Sequence, residues 1–112
     1  MVLRLAGAFL LLAAATAQAG SRIVETALAV ALLDVVDAHC RNEISVDEQR
    51  RAGVRASFRD YDVQGLQSLI AGPLNGFYED FLAEVGRGRL NFCMKAPATA
   101  AAAGHADLLK FR

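Results

Sequence analysis

Val24, Leu28, Ala31, Leu32, Val35 and Val36 recur at helical spacing, while Asp34 and Asp37 fall mainly on the other side. This pattern predicts a long first helix, capped by Ser21, with Glu25 near its positive end, running to about Arg41. Cys40 then stands in the last turn, one step beyond Val36 on the same face. Ser45-Val46-Asp47-Glu48 reads as a capping box that opens a second helix over about 46–61. Glu48, Arg50, Arg51, Arg55 and Arg59 crowd its polar side; Ala52, Val54, Ala56, Phe58 and Tyr61 make a thinner apolar side. Gly53 weakens this helix by about 1 kcal/mol relative to Ala, and would allow another helix to approach closely.

Residues 60–65 read as a break, and Leu66, Leu69 and Ile70 begin a short third segment punctuated by Gly72-Pro73. A further helix, opened by Asn75 or Pro73, carries Phe77, Phe81, Leu82 and Val85 opposite Glu79, Asp80 and Glu84. Gly86 and Gly88 end it. Asn91-Phe92-Cys93 reads as a link, and 90–94 is the single stretch suited to an extended chain. An alanine-rich last helix is expected over about 98–110, with Leu108 and Leu109 packing at its end. No stretch shows sustained strand alternation. The expected fold is all-α, a small bundle of four to five helices.

The start of the chain changes the picture. A weakly basic Met1–Arg4 precedes an apolar run from Leu5 to Ala15, followed by Ala17-Gln18-Ala19, the small-x-small pattern of a signal peptidase site. Residues 1–19 are therefore read as a signal peptide, and 20–112 as a single helical domain in the periplasm or outside the cell. An uncleaved anchor and a buried helix are the competing readings. The run of 15 residues from Leu5 to Ala19 falls short of the ~20 that span a bilayer, so the mature form is expected to have no membrane span. In an oxidising compartment Cys40 and Cys93 tend to pair, closing a loop of about 54 residues. The associated loop entropy is worth at most ~4 kcal/mol.

Charge narrows the partner classes. Residues 1–19 hold one charged side chain, Arg4, so 11 of the 12 basic and all 12 acidic residues remain, a formal charge of −1. Nucleic acid is not expected as a partner on that balance. Arg51, Arg55 and Arg59, spaced four apart, form one basic stripe, read either as a solvated, internally paired face against Asp47, Glu48 and Asp60 or as a docking surface for an acidic protein or anionic headgroups.

No catalytic constellation is legible. There is no Gly-rich phosphate loop, no Ser-His-Asp order and no Cys-x-x-Cys pair. His39 and Cys40 are adjacent on a helix, so they diverge by ~100° and rarely share an ion; no metal site and no cofactor are expected. Asp34 and Asp37, three apart, are read as a solvated face rather than an acid–base pair.

Several features together resemble a family of small exported proteins of unassigned function from marine alphaproteobacteria. They are the exported start, the first helix ending in Cys40, the Glu48-Gln49-Arg50-Arg51-Ala52 segment, the Phe92-Cys93 pair and the ending Leu108-Leu109-Lys110-Phe111-Arg112. The stretch His105-Ala106-Asp107 departs from the glycine that precedes the leucine pair in that family. The resemblance implies a helical, disulfide-bearing, periplasmic protein and supplies no activity. The expected function is a non-enzymatic exported protein that binds another protein or supports the envelope. The alternative is a small-ligand carrier or small enzyme with a site near His39. The sequence sets no oligomeric state.

Overall fold

The structure, a computed structural model, describes residues 22–112. The expected signal peptide and the Ser21 cap lie outside the described residues. Among the described residues the fold is made of four helices, one disulfide and one short strand pair. Helix α1 runs through residues 22–39, followed by strand β1 (Ile44–Val46) and helix α2 (Glu48–Val63). Helices α3 (Gln67–Arg87) and α4 (Arg89–Ala102) follow, and then strand β2 (Leu109–Phe111).

Helix α1 is the centre of the bundle. Ala27, Ala29, Ala31, Leu32, Leu33, Val35 and Val36 are all buried, so apolar residues cover most of its circumference. A helix apolar on nearly every side is one surrounded by others. Val24 is the exception to the predicted stripe and is exposed. The helix stops at 39, slightly before the expected Arg41, and the Cys40 N–H donates to the Val36 carbonyl at 2.8 Å.

The second helix is capped two residues later than expected. Asp47, not Ser45, is the cap: its carboxylate accepts from the Arg50 N–H at 3.0 Å. Ser45 is unavailable because it lies in β1, paired opposite Lys110, to whose carbonyl its hydroxyl donates at 3.4 Å. No neighbouring element packs closely on Gly53, since a Cβ placed there meets nothing within 4 Å. Only Val54 of α2 is buried, so this helix has little apolar anchorage.

The Gly72-Pro73 break does not occur; α3 is one helix with Pro73 inside it. Ile70, Leu74, Phe77, Phe81 and Val85 form a single stripe across Pro73, with Ile70 and Phe81 buried and the others partly so. Burying that stripe offsets the hydrogen bond the proline ring removes. Gly86 lies within the helix and Gly88 ends it.

The link at 91–93 and the last helix are also revised. Residues 90–94 are helical, and α4 covers 89–102 rather than 98–110. Phe92, Ala96 and Ala100 give the helix its buried stripe, continued by Ala103 just past its end, with Cys93 beside it. Phe92 meets Phe81 of α3 with ring centroids 5.8 Å apart.

Beyond α4 the chain turns back. Leu109–Phe111 pairs antiparallel with Ile44–Val46, in the register Ile44↔Phe111 and Val46↔Leu109. The Arg112 side chain then donates to the Arg41 and Ile44 carbonyls at 2.7 and 3.1 Å. Residues of every element join one buried cluster, which includes Ile44, Val54, Phe81, Phe92 and Leu108.

Candidate functional site

The three stripe arginines rise from one side of α2, yet they meet different surroundings. Arg51 turns toward α1, where its two terminal nitrogens donate to both Asp37 oxygens at 2.5 and 2.9 Å. Its Nε also stands 3.1 Å from Glu48. Only 14 % of its side chain is exposed. The paired hydrogen bonds from Arg51 hold the Asp37 carboxyl below its ordinary value, and the charges of Arg51, Arg55 and Arg41 act the same way. The same bonds hold Arg51 above its own ordinary value.

Arg55 and Arg59 are exposed and make no ion pair with another described residue. They stand at the edge of an open groove of about 520 Å³ between α2 and α1, lined by Val30, Ala52 and Phe58 as well as the three arginines. Arg50, on the next face, pairs with Asp107 at 3.3 Å, both well exposed. The expected pairing with Glu48 is thus made by Arg51, while Asp37 and Asp107 are partners that spacing along α2 does not reveal.

Asp34 and Asp37 do not act as a pair. Asp37 is taken by Arg51, and Asp34 accepts a hydrogen bond from the Tyr78 hydroxyl of α3. Burial, reinforced by that hydrogen bond and the Asp34 charge, pushes the Tyr78 hydroxyl up to about 12. Each carboxylate ties a different helix to α1.

The disulfide forms as the sequence predicts. Cys40 and Cys93 are bonded, with Cα atoms 5.5 Å apart and no exposed surface on either residue. The bond consumes the thiol that a nucleophilic His39–Cys40 pair would need. His39 is half-buried beside an open cleft of about 450 Å³ whose other lining residues include Arg41, Asn42, Glu43 and Arg89.

Arg89, unremarked in the sequence, organises that corner. It donates to the His39 carbonyl at 2.7 Å and to Glu43 at 2.8 Å, and lies 3.7 Å from the Cys93 sulfur. It stands one turn before Cys93 on α4, so the bridge itself brings it to the end of α1. The Arg89 hydrogen bond holds the Glu43 carboxyl below the usual range. The one available signal was that i, i+4 spacing from a paired cysteine.

Among the described residues no group of three or more His, Cys, Asp or Glu is placed to hold a metal. No helix among them is long and apolar enough to cross a membrane. No family model matches the chain, and neither the curated proteins nor the solved structures contain a match.

Proposed function

We propose that the protein is an exported, non-enzymatic binding domain that offers Arg55 and Arg59 to an acidic protein surface. The observation that carries this reading is the division within the stripe. Arg51 is spent on Asp37 and Glu48, whereas Arg55 and Arg59 stand exposed beside Phe58 at the mouth of an open groove of about 520 Å³. Exposed cations next to a half-buried aromatic give a docking partner both charge and apolar contact. The groove is open rather than enclosed, which suits a protein surface better than a small ligand that needs most of its area covered.

Export rests on the apolar start with its Ala17-Gln18-Ala19 pattern and on a disulfide of the kind that persists in the periplasm or outside the cell. Intact mass of material from native cells should lack residues 1–19 and two thiol hydrogens. Affinity capture with the tagged mature chain tests the binding reading. The Arg55→Glu/Arg59→Glu variant is expected to lose partners that the wild type and Arg50→Glu both retain. An unchanged set of captured proteins would overturn it.

A further inference from the structure

We infer that a second copy of this chain supplies the acidic surface, through Asp80 and Glu84 on α3. The inference rests on the reading that Arg55 and Arg59 face an acidic protein. Residues four apart on a helix share a face and rise about 6 Å, so Arg55–Arg59 and Asp80–Glu84 carry opposite charges at the same pitch. All four are exposed, and none makes an ion pair with another described residue. Ala83 and Gly76, small and exposed, lie beside the two carboxylates. The groove that would receive this face is lined by Ala52 and Phe58 and also carries Glu48.

The formal charge of −1 on residues 20–112 gives almost no net repulsion between copies, so local complementarity decides the encounter. A basic face meeting an acidic face is a contact between unlike surfaces. Two exposed charge pairs make it transient and sensitive to salt.

Sedimentation velocity of the oxidised mature chain over a range of concentrations tests this. Association is expected at low salt and should weaken about tenfold or more once salt shortens screening to about 8 Å. Arg55→Ala/Arg59→Ala and Asp80→Ala/Glu84→Ala should each be monomeric alone. Mixed together they should form a species that stops at two copies, because each retains one working face. Circular dichroism checks that both variants stay folded. A wild type that remains monomeric at every concentration, or association indifferent to both variants, overturns the inference. If capture of other proteins still depends on Arg55 and Arg59, the acidic-partner reading survives that failure; if it does not, both fall.

Discussion

The two hydrogen bonds from Arg51 to Asp37 join α2 to α1 where apolar contact is thin, since Val54 is the only buried residue of α2. Charge-assisted hydrogen bonds contribute roughly 1.5–3 kcal/mol. Asp37 keeps 39 % of its side chain exposed, and solvent screening reduces that figure to about 1–2 kcal/mol. Arg51→Ala should lower stability by about that amount in urea unfolding. The pH dependence follows from the direction of the shift. Asp37 titrates lower in the folded chain than its ordinary 3.8, so the unfolded chain binds the proton first. The contribution is complete above the ordinary value and is lost as pH falls through the depressed one. Asp37→Asn should flatten the acid limb of the stability profile while leaving neutral pH as the region of greatest loss. From spacing alone Arg51, Arg55 and Arg59 look equivalent. What separates them is where Asp37 of α1 falls, and that is a fact of packing between helices.

At the scale of elements, the chain's own pattern carried the helices further than their ends. The stripe of α1 and the pairing of Cys40 with Cys93 were legible because both rest on strong apolar and thiol chemistry. The short strands were not. Each is three residues long, and their partners lie 63 to 67 positions apart, too few and too distant to leave an alternation in the sequence. Pro73 misled in the other direction: a local penalty was outweighed by a stripe, Ile70 to Val85, that is buried only once tertiary structure forms. Glycines show the same tension between local and packed states. Gly104 follows α4 at φ 87°, and the N–H groups of Gly104 and His105 close the helix on the Ala101 and Ala100 carbonyls at 3.1 and 2.9 Å. A side chain there must adopt a left-handed backbone, so Gly104→Ala should cost about 1–2 kcal/mol. Gly53 lies inside α2 with open space around it, so Gly53→Ala should add about 0.5–1 kcal/mol. Thermal unfolding followed by circular dichroism should move in opposite directions for the two variants.

For the whole molecule, the corner where α1 ends matters most. The bridge ties α1 to α4, Arg89 braces it through the His39 carbonyl and Glu43, and β2 lies along β1 just beyond. Joining residues 53 apart removes loop freedom from the unfolded chain worth up to ~4 kcal/mol. Domains of this size are stable by only ~5–15 kcal/mol, so the bridge is a large share of the total. Cys40→Ala/Cys93→Ala is the cleaner test than serine, because a buried hydroxyl without a partner would add its own cost. The double variant should lose roughly 2–4 kcal/mol in urea unfolding. Since both cysteines have no exposed surface, a thiol reductant can reach the sulfurs only after the corner opens. Reduction of the native protein by dithiothreitol should therefore proceed no faster than global unfolding measured under the same conditions. A much faster reduction would mean that the start of α4 swings away from α1 on its own, and that Arg89 does not hold it there.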